Sequence, residues 1–170
     1  MTDVVCPTIP DVVCVSGAQW VDAYDPKSGP ITSGRIRPPM PTAVWNSLRM
    51  AAAQNFDREV CGFITESWQI VFVTNVAKDP AKEFVMHPDQ YKDAIKRIFM
   101  AKDTVIGVFH THPSGTGSPS HNDVLGWPTK DLHWRYWIAT QHDVYEWEYR
   151  NQPDTLPGEI GDFNDELPAL

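Results

Sequence analysis

The residues of this sequence best suited to chemistry are two histidines, His110 and His112, at the end of a short apolar run. The run covers residues 105–109 and is apolar on both faces, which predicts a buried β-strand. Because side chains alternate along a strand, the two imidazoles point to the same side. Pro113 ends the strand, since proline lacks the amide proton that a sheet ladder needs. Two imidazoles on one face suit a single metal ion.

Asp123 follows the histidines across a loop of glycine, serine and proline, and is the predicted third ligand. A His, His, Asp set leaves the fourth tetrahedral position of zinc free for water, which is typical of a catalytic site. Each part also has a purely structural interpretation. His110 and His112 can be a hydrogen-bonded pair, while Ser120 and Asp123 can be the N-cap and first turn of a short helix. The combination of both parts across one loop favours a metal site.

The spacing His-x-His-Pro, six further residues and Ser-x-x-Asp over residues 110–123 resembles the motif of the JAMM (MPN-plus) zinc metalloproteases. That family also has a glutamate at the start of a strand after its first helix, and Glu59 lies at the corresponding place, before Val60-Cys61-Gly62. The resemblance covers roughly residues 35–149. It implies an α/β (α+β) fold of the JAMM/MPN (cytidine-deaminase-like) type, with a mixed, mostly antiparallel central sheet flanked by helices.

The resemblance also implies a mechanism. Zn²⁺ is expected to be held by His110, His112 and Asp123 and to activate water for attack on a peptide or isopeptide carbonyl. Glu59 matches the family's general base, which takes a proton from the water and passes it to the leaving amine. Ser120 matches the serine that hydrogen-bonds the developing oxyanion.

Two other glutamates compete with Glu59 for the role of the base. Glu66 falls in a predicted turn, and Glu83 precedes a short predicted strand that need not approach the metal. Glu59 is favoured over both, mainly because of the resemblance. His121 is a candidate to shape access to the site, and the remaining histidines are interpreted as ordinary surface or core residues, namely His87, His133 and His142.

Length and composition exclude several classes of protein. The chain has 170 residues, 42% of them hydrophobic and 21% charged, which is typical of a globular domain. The net charge of −8 argues against nonspecific binding of nucleic acid. No apolar run approaches the roughly 18 residues of a membrane span, and residues 1–17 lack the pattern of a signal peptide. Cys6 and Cys14 can pair only in an oxidising setting, whereas Cys61 is predicted to be a buried apolar residue.

Three regions are expected along the chain: a proline-rich arm at 1–34, a JAMM/MPN-like metalloprotease domain at 35–150 and an acidic tail at 151–170. Apolar periodicity predicts one helix at 42–56, with Phe56 on its buried stripe, and a second helix starting at 88 or 89, with Phe99 on its stripe. Further elements are predicted as strands at 35–37, 60–65, 70–76, 83–86, 133–139 and 144–150, and as a short helix at 123–127.

Two finer predictions concern the surroundings of the site. The aromatic residues of 144–150 alternate with Glu146 and Glu148, which predicts that these two glutamates face water. The loop at 114–119 consists of small residues and is expected to be flexible, so that it admits a substrate beside the metal.

Within the family, residues outside the motif resemble the N-terminal domain of lambda-type phage tail assembly proteins. The likeness rests on Cys61-Gly62, Asn75-Val76-Ala77, Phe84 and His87-Pro88, although His87 stands where an acid is expected. This setting implies a place in the virion and contacts with neighbouring tail subunits through the arm and the tail. Two alternatives stay open: a bacterial, cytoplasmic deconjugating enzyme that acts on ubiquitin-like modifiers, and a structural tail subunit that keeps the metal site without needing turnover.

Overall fold

The computed structural model describes residues 20–23, 32–120, 122–123 and 134–149, which form one seven-stranded sheet with two helices. In chain order the elements are β1 (Trp20–Ala23), β2 (Thr32–Ile36), α1 (Thr42–Gln54), β3 (Cys61–Thr65), β4 (Ile70–Val73), α2 (Pro88–Met100), β5 (Val105–Thr111), β6 (Arg135–Ala139) and β7 (Val144–Tyr149). The strand order is β1-β2-β7-β6-β5-β3-β4, and every neighbouring pair is antiparallel except β5 and β6. The expected mixed, mostly antiparallel sheet flanked by helices is confirmed.

Alternation along the central strands builds a hydrophobic core on each face of the sheet. On β5, Val108 joins the core that includes residues of α2, whereas Phe109 joins the core that includes residues of α1. Both faces of this strand are therefore buried, which accounts for its apolar run. His110 and His112 follow Val108 at steps of two residues, so both imidazoles lie on the α2 face.

The two helices bury less of their length than the periodicity predicts. α1 ends at Gln54, and Phe56 beyond it is 78% exposed. α2 packs Ala94 and Ile98 against the sheet and leaves Phe99 77% exposed, because Phe99 is turned about 100° away from Ile98 around the helix. The predictions that Phe56 and Phe99 lie on buried stripes are therefore wrong. Neither helix in the described ranges combines the length and hydropathy needed to cross a membrane.

β4 is shorter than predicted. Its pairing with β3 ends at Val73, and the residues that follow pair with a later segment of the chain. Asn75 and Met86 form an isolated antiparallel bridge. The pairing is completed by two backbone hydrogen bonds, from Val76 to Val85 at 2.8 Å and from His87 to Thr74 at 2.9 Å. Residues 77–84 thus form a loop closed at its base, and of the strand predicted at 83–86 only the end is paired.

The sheet begins before residue 35, where the domain was expected to start. β1 and β2 form an antiparallel pair, in which β2 adds to the edge of β7, and the strand predicted at 35–37 is the end of β2. The rest of the arm at 1–34 and the tail at 151–170 lie outside the described residues, as do Cys6, Cys14 and the predicted helix beyond Asp123.

The prediction that Glu146 faces water is wrong. Its side chain is buried because Arg135, on the neighbouring strand β6, forms a bidentate ion pair with it, with nitrogen–oxygen distances of 2.7 and 2.9 Å. The Arg135 guanidinium also lies over the ring of Trp137, 5.0 Å from its centroid. The side chain of Glu148 lies outside the described residues.

Candidate metal centre

The pairing of β3 with β5 brings the segment that contains Glu59 beside the two histidines. Cys61 is opposite His110 in the antiparallel register. One residue further on, Val60 and Thr111 exchange hydrogen bonds at 2.9 Å, from Val60 N to Thr111 Oγ1 and from Thr111 N to Val60 O. Glu59 therefore lies at the same end of the sheet as the His-x-His pair, although it precedes His110 by 51 positions in the sequence.

Three of the predicted residues converge closely. His110 Nε2 and His112 Nε2 are 3.0 Å apart, and they lie 3.2 and 3.1 Å from the two carboxylate oxygens of Asp123. All three side chains are buried. Together with Glu59 they form a group whose ligand atoms all lie within 4.8 Å of one another.

His112 is held in the orientation that a metal ligand needs. Its Nδ1 lies 2.8 Å from the carbonyl oxygen of Thr116, so Nδ1–H donates to that carbonyl and Nε2 is left to face Asp123. A hydrogen bond from the second ring nitrogen to a backbone carbonyl is the usual support of a metal-binding histidine.

His110 is held differently. Its ring stacks on Phe84, with centroids 4.6 Å apart and planes inclined by 27°. Among the described residues, its Nδ1 atom has no hydrogen-bond partner although it is buried. The Nε2 side of the His110 ring therefore faces Asp123, and packing on Phe84 supports the ring in place of a hydrogen bond at Nδ1.

Ser120 and Asp123 bind each other's backbone. The Ser120 amide donates to Asp123 Oδ2 at 2.6 Å, and the Asp123 amide donates to Ser120 Oγ at 3.1 Å. This reciprocal cap opens the helical turn at residues 122–123 and orients the carboxylate towards the histidines. Because Ser120 acts in the cap as a hydrogen-bond acceptor, its hydroxyl proton remains available for another partner.

Glu59 is the glutamate that reaches the site. Its Oε1 lies 3.9 Å from His112 Nε2, and its Oε2 is buried without a hydrogen-bond partner among the described residues. Glu66 is exposed and follows the far end of β3, where Thr65 pairs with Val105. Glu83 lies outside the four-residue group, so neither competitor shares the position of Glu59.

The electrostatics of the group differ from residue to residue. Burial raises the pKa of Glu59 to about 7, with the Asp123 charge adding to the effect and His112 opposing it. Burial also acts to raise the pKa of Asp123, but hydrogen bonds with both histidines outweigh it and hold that pKa well below its usual range. Burial lowers the pKa of His110. Burial also acts to lower the pKa of His112, but the hydrogen bond and charge of Asp123, the Thr116 carbonyl and the Glu59 charge together outweigh it, and that pKa is raised.

The loop at 114–119 is anchored, in contrast to the expected flexibility. Thr116 is tied to His112, and the Trp147 indole N–H donates to the Gly117 carbonyl at 2.8 Å. Gly117 is buried against the ring of Tyr145, which lies 2.3 Å from where a Cβ atom would be, so only glycine fits there. The loop holds a ligand in place through contacts with β7.

The geometry of this group fits a zinc ion. Tetrahedral zinc with bonds of about 2.0–2.1 Å places neighbouring ligand atoms about 3.3–3.4 Å apart. The two ring nitrogens and the Asp123 carboxylate lie 3.0–3.2 Å from one another, close to that value. With the Nδ1 proton of His112 donated to Thr116, the group also presents several lone pairs to one point, an arrangement that a cation stabilises.

The residues that support the ligands are hardly visible in the sequence. The sequence offers no sign that the Thr116 carbonyl or the Trp147 indole is involved. Asn75, whose side-chain amide donates to the Glu59 carbonyl at 3.0 Å, offers one signal, because asparagine is disfavoured within strands and its presence there indicates a side-chain hydrogen bond. Of the other histidines, His87 accepts a hydrogen bond from Gln90 N at 3.5 Å and caps α2, and His142 is exposed; His121 and His133 lie outside the described residues.

Comparison with known proteins gives one family. Residues 41–152, more than half of the chain, match the family model of prokaryotic homologs of the JAB domain, which is the MPN domain. No curated protein sequence matches the chain. The chain is also similar to the solution structure of a protein from Desulfitobacterium hafniense, with 23% sequence identity over 56% of this chain and 69% of that chain. The TM-score of 0.44 is too low for this likeness to support an assignment.

Proposed function

Because the chain belongs to the family of prokaryotic homologs of the JAB domain, we propose that it is a zinc-dependent peptidase that hydrolyses a peptide or isopeptide bond. The observation that carries the proposal is the buried group of His110, His112, Asp123 and Glu59, in which three residues have the spacing of zinc ligands and the fourth residue, Glu59, places a second carboxylate beside them. A structural zinc site has four protein ligands at bonding distance, whereas a catalytic site has three.

Hydrogen bonds orient the residues that would bind zinc and keep Asp123 ionised. His110 and His112 would bind zinc through Nε2, and Asp123 through its carboxylate, which stays ionised because its pKa is held low. When bound, zinc would act as a Lewis acid and would lower the pKa of a bound water to about 7. The reciprocal cap with Ser120 and the Thr116 carbonyl keep two of the three ligands oriented.

Glu59 is proposed to move the proton. Its Oε2 atom has no partner among the described residues, so it is available to accept a proton from water and to release it to a leaving amine. In the metal-free site burial raises the pKa of Glu59 to about 7, so this carboxylate holds a proton more readily than an exposed glutamate does. Since Glu59 is 3% exposed, the transfer would take place away from bulk water.

Ser120 is proposed to stabilise the oxyanion. Its hydroxyl oxygen accepts from the Asp123 amide while its proton is free to be donated, so the cap and the catalytic role are compatible. A donor aimed at the developing negative charge contributes about 3–4 kcal/mol in a dry site.

For the biological setting we propose a phage tail, as an assembly or tip protein that contacts neighbouring tail subunits through its arm and its tail. The support is the resemblance at Cys61-Gly62, Asn75-Val76-Ala77 and Phe84. The one departure, His87, fills the capping role of the expected acid, because its ring nitrogen accepts from the first turn of α2. There are two alternatives: a deconjugating enzyme for ubiquitin-like modifiers and a tail subunit without turnover. A neighbouring gene for a ubiquitin-like protein would favour the deconjugating enzyme, whereas neighbouring tail genes would favour a tail protein.

Hydrolysis that depends on the metal tests the proposal. The purified protein is incubated with quenched fluorescent peptides and with a ubiquitin-like protein joined through a lysine isopeptide bond. We expect cleavage of at least one class, its loss on chelation and its return with one equivalent of zinc. The Glu59→Gln protein, prepared in parallel, reports any contaminating protease. Cleavage by Glu59→Gln is subtracted as contamination, and a wild-type protein with no zinc-dependent cleavage above that level contradicts the proposal.

A further inference from the structure

The loop at 77–84 lies beside the metal centre and contacts it at two points. Phe84 stacks on the ring of His110, and the Glu59 amide donates to the carbonyl of Pro80 at 2.6 Å. A turn keeps the loop compact between these points, since the amides of Lys82 and Glu83 both donate to the carbonyl of Asp79, at 3.0 and 3.1 Å. One loop therefore contacts a metal ligand and the proposed base.

Asn75, at the base of this loop, uses its whole side-chain hydrogen-bonding capacity. Its Nδ2 donates to the carbonyls of Glu59 and Glu83, and its Oδ1 accepts from the amides of Ala77 and Val85. All four distances are 3.0 Å. The partners fix the orientation of the amide, because two carbonyls require the NH₂ group and two amides require the oxygen.

These bonds connect the two halves of the site. Glu59 precedes β3, and its backbone is held on both sides by this region, through Pro80 at its amide and Asn75 at its carbonyl. The same Asn75 amide group holds the carbonyl of Glu83, the residue directly before Phe84. A shift of Asn75 therefore moves Glu59 and the ring that supports His110 together.

The two metal-binding histidines need different supports. His112 is oriented by its hydrogen bond to Thr116, whereas within the described part of the chain His110 Nδ1 has no hydrogen-bond partner. The stacking on Phe84 takes the place of that bond. Removal of the aromatic face leaves His110 free to rotate about its side-chain torsions, with loss of the ligand geometry.

We propose that Asn75 is a positioning residue that fixes the general base Glu59 and, through Phe84, the zinc ligand His110 by holding the 77–84 loop against the site. The inference rests on the proposed function, since it assigns these two residues to the same metal centre. Neither Asn75 nor Phe84 touches the reacting atoms in this assignment.

Zinc affinity and the absorption spectrum of the cobalt-substituted protein test this inference. We expect Asn75→Ala to weaken zinc binding by about 10–100-fold, the usual effect of losing support behind a ligand, and to change the cobalt spectrum. Asn55→Ala is the matched control, because it removes a side-chain hydrogen bond of 2.9 Å to the Ala51 carbonyl at the end of α1. Thermal unfolding of both variants measures any general loss of stability.

Substitution of Phe84 is a second, independent test of the inference. Phe84→Leu keeps a similar apolar volume but removes the aromatic ring that stacks on His110, so we expect zinc affinity to fall by about 10-fold. Phe84→Tyr keeps the ring, so we expect it to retain the wild-type affinity. Phe72→Leu is the control, since Phe72 is a half-exposed phenylalanine on β4.

The outcomes separate this inference from the proposed function. A wild-type protein that binds no zinc contradicts the function itself. Wild-type zinc affinity and an unchanged cobalt spectrum in Asn75→Ala overturn the inference while leaving the function intact. Should Asn75→Ala not fold, Phe84→Leu decides, and an affinity equal to that of Phe84→Tyr overturns the inference.

Discussion

Glu59 and Glu146 are both buried, at 3% and 7% exposure, and the protein surrounds them differently. Glu146 accepts two hydrogen bonds from Arg135, so its charge is neutralised within the sheet. Glu59 stands among two histidines and a second carboxylate, and its Oε2 has no partner among the described residues. A buried charge that is paired internally contributes to the fold, whereas one left without a partner indicates that something from outside completes the site.

The largest effect is expected at the ligands. His112→Ala removes one of three zinc ligands together with its support from Thr116, so we expect zinc affinity to fall by more than about 100-fold. Competition with a chelator of known affinity measures the change. His142→Ala removes an exposed histidine outside the group and serves as control. Equal zinc binding by the two variants contradicts the ligand assignment.

Substitution of the proposed base, Glu59, distinguishes zinc binding from catalysis. Glu59→Gln keeps the shape of the side chain but cannot accept the proton, so we expect the turnover rate to fall by about 10²–10⁴-fold, while one zinc per chain is retained. Because Oε2 has no hydrogen bond to lose, the metal-free variant is expected to unfold at the same denaturant concentration as the wild type or a higher one. Glu66→Gln, at an exposed position, is the matched control. Loss of zinc from Glu59→Gln means instead that Glu59 is a fourth ligand.

Substitution of the paired glutamate, Glu146, is expected to lower stability without changing zinc binding. Glu146→Gln breaks the bidentate pair and leaves Arg135, whose side chain is 35% exposed, without its counter-ion. We expect a loss of about 2 kcal/mol in the free energy of unfolding, less than for a fully buried pair, with unchanged zinc affinity. Urea denaturation and zinc titration of the same preparation measure both quantities. A variant that is stable but loses zinc reverses the distinction between the two glutamates.

A third carboxylate, Asp103, gives the smallest expected effect. The hydrogen bond from the Ser67 hydroxyl, followed by further hydrogen bonds, lowers the pKa of Asp103 to about 2 from the ordinary 3.8. Because the folded pKa is the lower one, the stabilisation is present above pH 3.8 and is lost as the pH falls towards 2. The urea midpoints of wild type and Asp103→Asn should therefore differ at pH 5 and converge near pH 2. A difference that does not depend on pH contradicts this assignment.

The features that the sequence predicted correctly depend on short-range spacing. The period of two along residues 105–112 places His110 and His112 on one face, and the Ser-x-x-Asp spacing produces the reciprocal cap that orients Asp123. Both patterns are local, so they are visible without knowledge of the sheet order. The mixed sheet followed from the resemblance, and the family match agrees with it.

The features that were missed depend on partners far away in the sequence. The alternation along 144–150 predicted that Glu146 faces water, because its partner Arg135 lies on another strand and is not part of that local pattern. The loop after Pro113 looked flexible because Trp147, which anchors it at Gly117, follows 30 residues later. Apolar periodicity likewise does not specify where α1 stops, which determines that Phe56 is exposed.

The metal content of the purified protein is the decisive measurement for the assignment of His110, His112 and Asp123 as zinc ligands. Elemental analysis is made on the folded full chain after dialysis against buffer free of chelator, with His112→Ala measured beside it. We expect about one zinc per chain in the wild type, from one three-ligand site, and none above background in the variant. A folded wild-type protein that contains no zinc and takes up none on addition of the metal contradicts the account.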